Sequence, residues 1–128
     1  MPNLELRLED ERLALCHLPP TDAPPWWAFD AAGFCSVTRT ADEWSVVCAE
    51  EAVPAGIQCE RDWRMFQVAG PLEFSLIGIL SSIAEPLADA GVSIFALSAY
   101  ETDYVLVKAS NVDAAIRALG LAGHLVRR

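Results

Sequence analysis

Apolar and polar positions change period several times along this chain, and each change marks an element. Arg12-Leu13-Ala14-Leu15-Cys16-His17 reads as a strand, and Pro19-Pro20 and Pro24-Pro25 frame the loop after it. Trp26 to Phe29 fits a short helix. Phe34-Cys35-Ser36-Val37-Thr38 and Trp44-Ser45-Val46-Val47-Cys48 form a hairpin around Ala41-Asp42-Glu43, with a short segment from Glu50 to Ala55 behind it. Trp63 to Val68 is strand-like again, and Gly70-Pro71 breaks it. Leu76, Leu80, Ile83 and Leu87 then make one stripe at helical period, with Gly91 as the stop. Pro86 lies inside that pattern and is expected to kink the helix or split it near Ser82.

Val92–Ala99 and Tyr104–Ala109, rich in branched and aromatic residues, flank a short polar turn and predict an antiparallel hairpin. Both of its faces are apolar. Phe95, Leu97, Val105 and Val107 are assigned to the helix side, and Ile94, Ala96, Tyr104 and Leu106 to an outer face that something else must cover. Asn111 is a candidate N-cap for a last helix with the stripe Val112, Ala115, Ile116, Leu119, ended by Gly120 or Gly123, and His124-Leu125-Val126 can add an edge strand. The second half thus reads β-α-β-β-α-β, the ferredoxin-like order, and the first half reads as a degenerate repeat of it. The expected fold class is α+β with two ferredoxin-like modules side by side, residues 1–62 and 63–128.

Composition narrows the function. At 128 residues and 53% hydrophobic content the chain can bury one ordinary core or two small ones. Eighteen acidic and nine basic side chains give a net charge of −9, which repels phosphate backbones and anionic membrane surfaces, so neither nucleic acid nor membrane is an expected partner. No apolar run is long enough for a bilayer and no signal peptide is recognisable at the start, so a cytoplasmic location is expected. Cys16, Cys35, Cys48 and Cys59 show no C-x-x-C spacing, and they read as small buried hydrophobes without a metal or other cofactor. His17 and His124 stand far apart and no nucleophile motif accompanies them, so no enzyme activity is expected. The four tryptophans read as seals between packed surfaces more readily than as an aromatic cage.

Gly70-Pro71-Leu72-Glu73-Phe74-Ser75-Leu76, Gly78-Ile79-Leu80, Pro86-Leu87, Gly91-Val92-Ser93-Ile94-Phe95 and Thr102-Asp103-Tyr104-Val105-Leu106-Val107 together resemble the tandem ACT-domain proteins, small bacterial members related to the CASTOR arginine sensors. Thr40 to Val47 and Trp63-Arg64 extend the resemblance over most of residues 12–126. It implies paired ACT modules, a regulatory role without catalysis, and a small ligand, usually an amino acid, held at an interface between modules, while the apolar outer hairpin face calls for a second copy of the chain, a homodimer.

An amino acid carries an ammonium and a carboxylate, and burying both requires an anion for one and amide donors for the other. Asp103, or Glu101 beside it, suits the ammonium. Amides from Leu72 through Ser75, Leu76, Ile77 and Gly78, at the expected start of a helix, suit the carboxylate. Gly70 and Gly78 permit close approach of the backbone. Ser98, Ala99 and Thr102 complete the candidate ligand-binding set. Ala99 stands where the family commonly has a hydroxyl, which favours the alternative of a structural or protein-interaction module with a vestigial pocket. The turn Arg39 to Glu43 echoes the polar turn of the second half and leaves open a site in the first.

Overall fold

A computed structural model describes residues 3–72 and 77–128. Two compact units emerge. The first is Glu11–Trp63, and the second joins the residues up to Asp10 with Arg64–Arg128. This differs from a division at residue 62, and the reason is an N-terminal strand. In β1, Glu5–Leu8, apolar Leu6 and Leu8 alternate with charged Glu5 and Arg7, so one edge-on face is buried and the other is wet.

The first unit runs through β2 (Leu13–Leu18), α1 (Trp27–Asp30), β3 (Cys35–Arg39), β4 (Trp44–Ala49), a three-residue 3-10 turn at Glu50–Ala52, and the beginning of β5 (Gln58–Val68). Its strand order, β3-β4-β2-β5, is that of a ferredoxin-like module whose second helix has shrunk to one turn. Ala14, Cys16, Leu18, Ala28, Val46 and Cys48 form its core, and Trp27, Val53 and Ile57 pack on it. Near the end of the β2–β5 pairing the register shifts, and Asp62 takes a left-handed backbone with φ of 67°. Its amide donates to Glu50 Oε2 at 3.0 Å and its carboxylate pairs with Arg12 at 3.1 Å, so local bonds offset that conformation. The turn between β3 and β4 is closed by Thr40, whose hydroxyl accepts from the amides of Asp42 (3.1 Å) and Glu43 (3.2 Å).

The second unit takes the rest of β5, then α2 (Ile79–Asp89), β6 (Phe95–Ser98), β7 (Asp103–Lys108), α3 (Val112–Leu121) and β8 (Leu125–Arg127). Its strand order is β6-β7-β5-β1-β8. A four-stranded ferredoxin-like module would set the first and last strands side by side, whereas here β1 separates β5 from β8, antiparallel to one and parallel to the other. The insertion is stable because Leu6 (0% exposed) and Leu8 (5%) join Phe66, Val68, Ile83, Leu87, Val105, Val107, Ala115 and Leu119 in one core. Burial of two leucines contributes about 3–6 kcal/mol before entropy is counted.

Both long helices of this unit end in the same way. Val92 N–H bonds the Leu87 carbonyl and Gly91 N–H that of Ala88; His124 N–H bonds Leu119 and Gly123 N–H bonds Gly120. These are paired backbone closures that need a left-handed residue, supplied by Gly91 and Gly123. Helix α2 starts at Ile79, later than the stripe suggested, so Leu80 is exposed and Ile79 is buried in its place, while Leu76 lies outside the described residues. Nor does Pro86 split α2, which is continuous through it.

The missing Pro86 amide would have bonded the Ser82 carbonyl. His124 replaces it. Its Nδ1 accepts from the Leu4 amide at 3.0 Å, so the ring proton sits on Nε2 and is donated to Ser82 O at 2.8 Å. The buried imidazole therefore ties the approach to β1 to the carbonyl that proline leaves open.

The β6–β7 register pairs Phe95 with Leu106, Ala96 with Val105 and Leu97 with Tyr104. Directly opposed residues share a face, so Ala96 sits with Val105 on the helix side, where half-buried Ile94 packs, and Phe95 and Leu97 lie with Leu106 and Tyr104. This reverses the expected assignment for β6 alone, a one-residue offset that moves every side chain across the sheet. Leu106, assigned to an outer face that something else must cover, is fully buried.

Candidate functional site

Within the second unit, a cleft of about 320 Å³ opens between the start of α2 and the β6–β7 turn, lined by Leu72, Gly78, Ile79, Leu80 and Ser98 to Asp103. That volume is at the lower end of the range for small-molecule pockets. The loop after β5 is held against the turn by main-chain and side-chain bonds. Leu72 N–H donates to Glu101 O at 2.7 Å, and the buried Thr102 hydroxyl donates to Val68 O at 2.6 Å. Gly70 lets the loop approach closely, since a Cβ at this position would stand 3.1 Å from both Glu101 O and Thr102 Cβ, tighter than ordinary contact. Ala99 N–H to Thr102 O, 2.9 Å, closes the turn itself.

On the turn side the polar group is Asp103, half-buried and directly opposite Ser98 in the register. Ser98 Oγ donates to its Oδ1 at 2.6 Å, a short charge-assisted bond that orients the carboxylate. Facing it is the positive end of α2. Gly78 takes a left-handed conformation, φ 81°, at the N-cap, and among the described residues no side chain caps the helix. The first ladder bond runs from Ser82 N–H to Gly78 O at 2.9 Å, so the amides of Ile79, Leu80 and Ser81 precede the ladder and define an anion-accepting end. One cleft thus presents an oriented carboxylate and a helix N-terminus, complementary to the two charges of a zwitterion.

Of the residues expected from sequence, Leu72, Gly78, Ser98, Ala99, Glu101, Thr102 and Asp103 line this cleft. Ile77 does not, being 89% exposed, and Ser75 lies outside the described residues together with Leu76. The Leu72 amide is already committed to Glu101 O and the Thr102 hydroxyl to Val68 O, so these two shape the loop. Ile79, Leu80 and Tyr100 were missed. The first two follow from the later helix start; Tyr100 sits in the same turn as Glu101 and Thr102 but carried no separate signal, since a single exposed aromatic is ordinary on a protein surface.

Sequence and structure comparisons agree with this fold. The ACT domain family model matches residues 58–120, and a second model, for an N-terminal domain, matches residues 11–56. The human protein named cytosolic arginine sensor for mTORC1 subunit 1 is 38% identical over 58 residues, 44% of this chain, and the chain spans about a fifth of that relative's length, 18%. Among solved structures, protein Atu0741 from Agrobacterium tumefaciens superposes with a TM-score of 0.91 at 32% identity, covering 98% of this chain and 93% of that one. The regulatory subunit of aspartate kinase from Thermus thermophilus superposes with a TM-score of 0.66 at 15% identity over 91% of this chain and 96% of its own, a likeness of fold. Ferredoxin-like strand order in the first unit, the same order opened by one strand in the second, the matched family model and a relative alike along nearly its whole length lead to one conclusion: the chain belongs to the ACT-domain family.

Proposed function

We propose that this protein is a non-catalytic regulatory module that binds a free amino acid in the cleft between Asp103 and the N-terminus of α2. The observation that carries the reading is the pairing of Asp103, oriented by Ser98, with a helix start that no described side chain caps, across a small-molecule-sized hollow. The ligand ammonium meets the remaining oxygen of Asp103, and its carboxylate meets the amides of Ile79 to Ser81. Exposed Tyr100 and Leu80 on the rim contact the ligand side chain. The arginine sensor among the relatives supports this ligand class, and its printed name supports a cytosolic setting.

Regulation requires that the ligand favour one state over another. A homodimer in which a second copy covers the exposed apolar rim, Ile77, Leu80 and Tyr100, supplies such a state. Titration calorimetry with the twenty standard amino acids, followed by thermal shift, is the test: saturable heat for one chemical class, lost in Asp103→Asn, is the expected result. Uniform absence of heat and of any shift overturns the reading.

A second reading has its own support. The Leu72 amide, the Thr102 hydroxyl and one oxygen of Asp103 are satisfied internally, so the cleft is chemically quiet enough to be vestigial, leaving a module that acts through protein contacts. Under it, Tyr100→Glu disrupts self-association in analytical ultracentrifugation while Asp103→Asn changes nothing.

A further inference from the structure

We propose that the helix-covered face of the first unit carries a peroxide-oxidisable dithiol, Cys35 and Cys48, that closes to a disulfide between β3 and β4. All four cysteines of the chain fall on this one sheet face, contributed by four strands. Two of the pairs are direct cross-strand partners: Cys35 opposite Cys48, and Cys16 opposite Cys59. Directly opposed antiparallel residues have Cα atoms about 4.5–5.5 Å apart. This lies inside the roughly 4.4–6.8 Å that a disulfide spans.

Both pairs set a partly exposed thiol against a buried one, and what distinguishes Cys35–Cys48 is that the Cys16 thiol is committed to a hydrogen bond with Cys48. Cys35 is partly exposed on the edge strand β3, so a small oxidant reaches it, whereas Cys48 is fully buried behind it. Cys16, a diagonal neighbour of Cys48, donates its S–H to the Cys48 sulfur and lowers the Cys48 thiol below its ordinary range. The cost appears on the donor, since the same hydrogen bond, with burial, pushes Cys16 far upward. Burial also raises Cys35, so its first oxidation is slow. Among the described residues no group of metal-ligating side chains is arranged to hold an ion, which leaves thiol–disulfide chemistry as what this cluster can do.

With hydrogen peroxide as oxidant, the Cys35 thiolate attacks one peroxide oxygen, the O–O bond breaks, and hydroxide departs to leave a sulfenic acid on Cys35. The Cys48 thiolate then attacks the Cys35 sulfur; the S–S bond forms, the S–O bond breaks, and hydroxide leaves. The two thiol protons and the two hydroxides make two waters. The sulfurs lose two electrons and the peroxide oxygens gain them. The product staples the edge strand β3 to β4.

The test treats the full chain with hydrogen peroxide, removes the oxidant with catalase, alkylates in denaturant and measures intact mass and peptide linkage. Expected are two protected thiols of the four, a mass lower by two hydrogen atoms, and a Cys35–Cys48 linked peptide. In Cys48→Ala the sulfenic acid on Cys35 has no partner and is trapped by a 1,3-diketone. Cys35→Ser, a partly exposed edge position that keeps the fold if the core variant does not, gives no disulfide and three alkylated thiols. Four alkylated thiols in the treated wild type, a link between Cys16 and Cys59, or chains joined to one another overturn the proposal.

Discussion

Replacing His124 by Phe isolates the bond that compensates for proline in α2. The change keeps a flat ring in a site only 6% exposed and removes both polar contacts, leaving the Leu4 amide and the Ser82 carbonyl without their imidazole partner. An orphaned buried group costs about 1–3 kcal/mol. Leu4 is half-buried and recovers part of this from water, so the sum is about 2–4 kcal/mol, on the order of 10–20 °C in Tm for a unit of this size. Pro86→Ala then supplies an amide that bonds Ser82 O, so it rescues His124→Phe more than it stabilises the wild type. The difference is about 1 kcal/mol in a double-mutant cycle. Urea unfolding of the four proteins by far-UV circular dichroism, with hydrogen exchange at the Leu4 amide, measures it. Additivity within about 0.5 kcal/mol would refute the claim that His124 and the missing proline amide serve the same carbonyl.

Gly70→Ala forces a methyl against Glu101 O and Thr102 Cβ, and it should lower stability by about 1–3 kcal/mol and weaken ligand binding together, as read by thermal shift with and without ligand. Asp103→Asn keeps the shape of the cleft but removes its charge; affinity for an amino acid should fall about 10–100-fold with Tm almost unchanged, and an unchanged affinity removes Asp103 from the site. Deleting the residues through Asp10 strips Leu6 and Leu8 from their core, a loss of about 3–6 kcal/mol that should leave the second unit largely unfolded by hydrogen exchange while the first keeps its protection. Cys35 and Cys16 are raised, so in the folded state they stay protonated where unfolded thiols ionise; their stabilisation is complete below the ordinary thiol range and is lost above it, opposed only by the lowered Cys48. Tm should therefore decline at alkaline pH, and Cys35→Ser should flatten that decline.

Elements with strong local periodicity were legible in the sequence. The hairpins around Asp42 and Glu101, the stripe of α3 and the glycine stops of both long helices all appear near their expected places, because each is set by neighbours a few residues away. What escaped was set at long range. Leu4-Glu5-Leu6-Arg7-Leu8 alternates visibly, yet nothing local says that it enters between β5 and β8. The facing of β6 depends on a register counted from β7, and both of its sides are apolar, so alternation could not choose between them. Pro86 looked like a break because its compensating partner, His124, is distant in sequence. The cleft was legible in its turn, where Ser98, Thr102 and Asp103 are consecutive or paired. At the helix start it was blurred by three residues of boundary error, between Leu76 and Ile79.

The placement of β1 beside β8 also sets a schedule for biosynthesis. Leu4 meets His124 across 120 positions, so the strand that a ribosome delivers early has no lateral neighbour on one side until the last described strand emerges. Meanwhile Glu11–Trp63 can complete its own sheet. Once β5 is made one edge of β1 can pair, but until β8 follows its other edge stays open, a leucine-bearing edge of the kind that a holdase chaperone can cover.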